Sequence, residues 1–361
     1  MRLLPISKTC KSCAGVLAFG LLAVCGHAAE APARARVFYA SDTSVLGPGR
    51  QVNAAVVRRM VDQLLIHLTQ KPTIAEAWGS LVTKKDRIGI KVAASGGPLS
   101  GTHPEVVEAI VAGLAEAGIS PEQIIVWDRN LGDLLAAGYR KNALHYQLRW
   151  VDPVKGYDRK AQVSAPVLGK LIWGDSGFGS KTGSRIVDVL GSGEQLSSAS
   201  YYSNILSKEV IKIINVPSLT DSYLTGVNGA LANMVLPNLD NWRRFTKAPS
   251  YGDPYLAEIY ADAIIRDKVV VTLLDALVLQ YAGGPAANPG FLLDHFTLYA
   301  SRDPVALDAL SARLLDEARG PSKLPPLASM TSWLDSARAI GLGNPAESHL
   351  DLIRVGDAGV R

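Results

Sequence analysis

Asp86-Arg-Ile-Gly-Ile-Lys-Val92 decides the fold, together with three segments downstream: Thr102-His-Pro-Glu105, a periodic stretch to Gly118, and Gln123-Ile-Ile-Val-Trp-Asp128. Ile88-Gly-Ile90 in the first run, and Ile211–Ile214 further on, are nearly continuous in apolar residues, as strands covered on both faces are. Between the first and last segments Val106, Val107, Ile110, Val111 and Leu114 recur at helical spacing. Thr102 and Glu105 have the spacing of a capping box, and Gly118 can end the helix with a positive φ. Strand, helix and strand in succession form a βαβ unit, which requires a parallel pair.

The same alternation extends outward. Strands are expected at Val37–Ala40, Arg87–Val92, Gln123–Trp127, Val210–Val216, Val269–Leu274 and Phe296–Ala300. Helices are expected at Val52–Leu68, His103–Ala117, Pro254–Arg266, Pro304–Ala318 and Ser332–Ile340. Asp303-Pro304 pairs an N-cap residue with the residue preferred in a first turn. The expected fold is α/β, a mainly parallel sheet with helices on both faces. Residues 153–204, rich in Gly, Ser and Lys, are expected to form a loop or hairpin insertion.

The N-terminus has a different character. Arg2, Lys8 and Lys11 precede the apolar run Val16–Val24, and Gly26-His-Ala28 supplies small residues. This order is that of a cleavable signal peptide over residues 1–29, with cleavage near Ala28 or Ala29. It implies a periplasmic or secreted protein whose remaining residues, 30–361, form a single α/β domain. Leu22-Ala-Val-Cys25 offers a lesser alternative, a lipoprotein anchored at Cys25, although Val24 is a poor residue before a lipidated cysteine. After cleavage no segment has transmembrane length.

Cleavage also removes chemistry. Cys10, Cys13 and Cys25 all precede the cleavage point. The mature chain therefore offers no disulfide, no Cys-ligated iron–sulfur cluster and no thiolate zinc site. The chain has 37 basic and 33 acidic residues; the first 29 residues hold three of the basic and none of the acidic, so the mature net charge is near +1. That balance gives no electrostatic basis for binding nucleic acid.

Several short motifs fail on inspection. Gly174-Asp-Ser-Gly177 resembles a protease nucleophile segment, but the fold is wrong for it. Gly174 to Thr182 misses a phosphate-binding loop by one residue. Lys181-Thr-Gly183 lacks the Ser-x-x-Lys of penicillin-recognising enzymes. His103-Pro-Glu105 fits half of a zinc-deaminase signature whose cysteine half is absent. No Gly-x-Gly-x-x-Gly follows the first strand.

In open parallel sheets, ligands bind beyond the carboxyl ends of the strands. That rule selects Lys91, Asp128, Arg129, Asn215 and Asp275, and also Asp303, which follows the Phe296 strand. Thr102 and His103 open a helix whose free N–H groups, with Lys91, suit a phosphate or carboxylate. Asp128, Asp275 and Asp303 suit a hard divalent cation if they converge. Lys91, His103 and Asp128 are the candidate catalytic residues. Thr102, Arg129, Asn215, Asp275 and Asp303 are the candidate ligand-binding residues. Bland roles compete: a cap for Thr102 and Asp303, an exposed first-turn position for His103, and a helix-face position for His67.

An ordered set of segments resembles the domain of unknown function 362 family, in its exported branch. It comprises Asp86–Val92, Thr102–Glu105, Ile124–Arg129, Ile214-Asn-Val-Pro217, Leu224–Val227, Asp253–Ala257, Ile265–Lys268, Gly283-Gly-Pro285, Ser301–Asp308 and Gly341-Leu-Gly343. The resemblance implies an α/β fold and little chemistry. It also implies departures. Ala93 stands where relatives have Asn, Thr220 and Ser222 (in Pro217-Ser218-Leu219-Thr220-Asp221-Ser222) stand for Lys and His, and Ala232 stands for a Lys beside Asn233.

The reading is thus an enzyme-like domain that binds a small anionic ligand at the strand ends, with a divalent cation as a further expectation. The competing reading is a non-catalytic periplasmic binding or assembly factor with a protein partner.

Overall fold

In the computed structural model, residues 34–163, 200–246 and 248–356 are described. The presequence with its three cysteines and the Gly174–Ser184 motifs lie outside them.

The first half contributes β1 (Ala35–Ser41), β2 (Ile88–Val92), β3 (Ile124–Asp128), β4 (Gln147–Trp150), β5 (Tyr157–Gln162) and β6 (Tyr201–Ser203). The second half contributes β7 (Lys212–Val216), β8 (Ser218–Ser222), β9 (Gly226–Val227), β10 (Val269–Gln280), β11 (Leu292–Ser301) and β12 (Leu350–Arg354). The main sheet runs β12-β1-β11-β10-β7-β2-β3-β4, with β8 added beside β10 and β9 beside β8. From β10 to β4 every neighbouring pair is parallel. β5 and β6, at the two flanks of the expected insertion, pair as an antiparallel ribbon.

The α/β reading therefore holds, with one change of direction. The expected Phe296–Ala300 strand is part of β11, which is antiparallel to both β10 and β1. Its carboxyl end points the opposite way from those of its neighbours.

Each face carries its own core. The helices Ala54–Thr69 and Pro104–Glu116 cover one face, packing Met60, Leu64, Val107 and Ile110 onto Ile88, Ile90 and Val126. The helices Ala230–Val235, Pro304–Arg319 and Trp333–Ala339 cover the other, packing Leu231, Leu307 and Trp333 with Trp127 and Ile213. Trp127 fits because β2 has a glycine beside it. A Cβ on Gly89 would lie 2.5 Å from the Trp127 ring.

Local signals set most element ends. Gly118 closes its helix at φ +80°. Asp303 accepts from Ala306 N at 2.9 Å, and Pro304 begins the helix. Two expectations need correction. Pro254–Arg266 is not one helix but two short ones, Tyr255–Tyr260 and Ala263–Arg266, because Asp262 caps the second by accepting from Ile264 N. The Thr102–Glu105 capping box does not form. His103 occupies the N-cap without a side-chain cap, because Thr102 is engaged elsewhere.

Candidate functional site

The order of the sheet places the site. From β2 the chain moves outward to β3 and β4; from β7 it moves the other way to β10. β2 and β7 are therefore a topological switch point, where an open α/β sheet leaves a crevice beyond its strand ends. Lys91 and Asn215 are register partners there, and Asn215 is paired in turn with Thr272. Partners in register share a face, so three polar side chains form a row under the Ala230–Val235 helix.

That row is saturated. Lys91 is fully buried, and its Nζ donates to Asp128 Oδ1 at 2.7 Å, Val92 O at 2.6 Å and Asn233 Oδ1 at 3.0 Å. An ammonium has three protons, so nothing is left for a ligand. Burial pulls the ammonium below its ordinary pKa, and the neighbouring Asp128 carboxylate opposes the pull. Asn233 donates to Asn215 Oδ1 at 2.8 Å, and Asn215 donates to Ala230 O at 3.0 Å. Asp128 also accepts from Arg129 N at 2.7 Å and Ala94 N at 2.8 Å. Lys91 thus anchors the site from behind; the expected direct pairing of Lys91 with an anion does not fit this geometry.

The crevice between β2 and β7 is filled by protein. Thr102 Oγ1 accepts from Ala93 N at 2.9 Å and donates to Val216 O at 2.7 Å, tying the two strand ends together. Beside it, Asp275 Oδ2 accepts from both His103 N and His103 Nδ1 at 2.8 Å. The anion expected at this helix start is therefore the Asp275 carboxylate itself. Burial pulls the His103 imidazole down, but the charge and hydrogen bond of Asp275, with help from Glu105, leave it above its ordinary value. His103 is buried, contrary to an exposed first-turn position.

The three expected acidic ligands do not converge. Asp128 is paired with Lys91, and Asp275 with His103. Asp303 follows an antiparallel strand, so it lies at the other end of the sheet and caps its own helix. Among the described residues no group of three acidic, cysteine or histidine side chains is placed to hold a metal ion.

An open pocket of about 150 Å³ lies over the ends of β2 and β3. Asp128 and Arg129 form part of its wall, with Asn130 and Asp133 beyond them. Leu224, Leu236, Pro237, Trp242 and Pro285 make most of the remainder apolar. Arg129 is the cation among the described lining residues. Its Nη1 donates to Leu239 O at 2.7 Å, and its guanidinium lies 5.8 Å from the Trp242 ring centroid. Burial lowers its pKa from the ordinary value. Ala93, Ser222 and Ala232 also line this pocket. These are three of the four positions at which the resemblance implies larger polar side chains. At the fourth, Thr220 is fully buried and its hydroxyl makes no hydrogen bond.

Of the candidate residues, Asp128 and Arg129 reach the pocket, and Lys91 and Asn215 support it through Asn233. Thr102, His103 and Asp275 form a separate buried cluster. Sequence reasoning assigns no role to Trp242 or Asp308. Asp308 accepts from Ala230 N and, at 2.9 Å, from Leu231 N, so it fixes the helix that carries Asn233. Its place at the end of the Ser301–Asp308 motif is the signal that could have found it.

The family model described as "Domain of unknown function (DUF362)" matches residues 88–313. No curated protein matches the chain. A Thermotoga maritima protein, solved as a crystal structure by the Northeast Structural Genomics Consortium, is 13% identical with a TM-score of 0.39. The match covers 75% of this chain and 59% of that one, so the chain spans about three fifths of that protein's length.

Proposed function

Because this chain belongs to the DUF362 family, a domain of unknown function, its role has to be read from its own side chains, and we propose that it binds a small organic anion in the Arg129 pocket. The observation that carries the proposal is the state of the charges. Asp128 is already neutralised by Lys91, whereas Arg129 stands in a largely apolar wall, donating to backbone carbonyls beside the Trp242 face, with Tyr157 and the Asp240 carboxylate near enough to act on its charge and Asp133 as the other carboxylate of the lining. A partly desolvated guanidinium gains most from an ionised, planar acceptor such as a carboxylate. The apolar walls favour a ligand with a hydrocarbon or aromatic body.

Binding suits these walls better than proton transfer. Asp128 has both oxygens engaged, and Lys91 has spent its protons. A general base needs a free oxygen or nitrogen within reach of the substrate. The order of charge, apolar run and small residues at the N-terminus supports export, so the ligand would be met outside the cytoplasm. No described helix is long and apolar enough to cross a membrane.

Mass spectrometry of small molecules retained by the native-purified protein tests this reading. The expected result is an organic anion that co-purifies with the unmodified chain and is lost from Arg129→Met. The same anion retained by Arg129→Met would remove the support for this site.

A further inference from the structure

A second polar pocket lies at the far side of the sheet, where the parallel strands β1 and β12 end together. β11, β10 and β7 separate these strands from β2, and the two pockets share no residue. Its cavity is about 590 Å³. Ser41 and Asp42 enter from the end of β1, and Arg354 from the end of β12. Arg59, Gln63 and His67 enter from the Ala54–Thr69 helix. Those three stand four residues apart, so the helix presents them as one stripe.

The balance of groups is cationic and donor-rich. Arg59 is paired with Asp42, whose other oxygen accepts from Ser44 N at 2.9 Å and Ser44 Oγ at 2.6 Å. The hydrogen bonds from Ser44, with the Arg59 guanidinium, hold the Asp42 carboxyl below its ordinary pKa, so it stays ionised and satisfied. Arg354 is different. Among the described residues its side chain makes no hydrogen bond or ion pair, and it is exposed. The His67 ring uses Nδ1 on Gln63 O at 2.8 Å, which leaves Nε2 free. The pocket therefore holds one satisfied carboxylate, one guanidinium beside it and a second guanidinium with no counter-charge.

We propose that this pocket is a second ligand site, for a small divalent oxyanion of the phosphate type. Arg354 is the primary contact, and Arg59 and the Gln63 amide complete the set of donors. Several acceptor oxygens on a compact dianion match guanidinium forks arriving from a strand and a helix.

Isothermal titration with inorganic phosphate, against chloride at matched ionic strength, tests this. The intact protein should bind phosphate saturably, and Arg354→Ala should weaken binding about tenfold, as expected for loss of a charged hydrogen bond. Arg354 is exposed and unpaired, so that variant should fold normally. Gln63→Ala supplies a second, milder loss. Arg129→Met should leave phosphate binding unchanged, which separates this site from the other pocket. Absence of saturable phosphate binding, an unchanged affinity in Arg354→Ala, or loss confined to Arg129→Met would each overturn the proposal.

Discussion

The ammonium of Lys91 lies 2.7 Å from Asp128 Oδ1 with none of its surface exposed. Such a pair costs desolvation on both sides and repays it only when every donor and acceptor is met. Here Val92, Asn233, Ala94 and Arg129 meet them. The pair is a rigid wall behind the pocket, and its chemistry is structural.

Removing one partner should therefore be expensive. Lys91→Met strands a buried carboxylate and should cost about 3–5 kcal/mol of unfolding free energy. Lys91→Met combined with Asp128→Asn should recover part of that loss. Urea unfolding of the three proteins measures both quantities. A single-variant cost under about 1 kcal/mol would mean that the pair is looser than its geometry indicates.

The His103–Asp275 pair should show as a pH effect. The imidazole pKa is raised in the fold, so the stabilisation from the charged ring is fully present below the ordinary value of 6.5. It is lost as pH rises through the folded value. The stability gap between the intact protein and His103→Gln should shrink as pH increases across that window. NMR titration of the His103 ring should place its midpoint above the ordinary one. A midpoint below it would mean that burial outweighs Asp275.

Asp308 should give a second pH signature. Burial outweighs its bonds from Leu231 N and Ala230 N, and with the nearby Asp303 charge pushes its carboxyl up to about 7. A raised acid favours the fold most below its unfolded pKa, near 3.8, and that contribution is lost as pH climbs through about 7. Relative to Asp308→Asn, the native chain should lose stability over that range. Gly229→Ala probes the same contact sterically, since its Cβ would overlap Asp308 Oδ1. It should cost about 1–3 kcal/mol or more in denaturant unfolding, as overpacking does.

How much of the fold and the site is legible in the sequence depends on the range of each contact. Lys91, Asp128 and Asn215 can be placed together because each ends a strand whose apolar run is visible locally. Asp303 is misplaced because Phe296–Ala300 looks the same whether its strand runs parallel or antiparallel; direction is set by pairing with β10 and β1. Thr102 reads as a cap from its spacing to Glu105, but its hydroxyl is used by Ala93 and by Val216, which lies 114 residues away. Asn233 meets Lys91 across 142 residues, and no local period announces that contact. Arg129 is visible as a strand-end residue, whereas its aromatic neighbour Trp242 comes from a short 3-10 helix, Trp242–Phe245, that has no sequence signal.

The Arg129 pocket is most directly tested by titrating the intact protein with benzoate and with its neutral isostere benzamide, following Trp242 fluorescence against a Trp242→Phe control. Saturable binding of benzoate, at least about tenfold weaker for benzamide and for Arg129→Met, is the expected result. Equal affinity for the two probes, or benzoate binding unaffected by Arg129→Met, would contradict an anion site at Arg129.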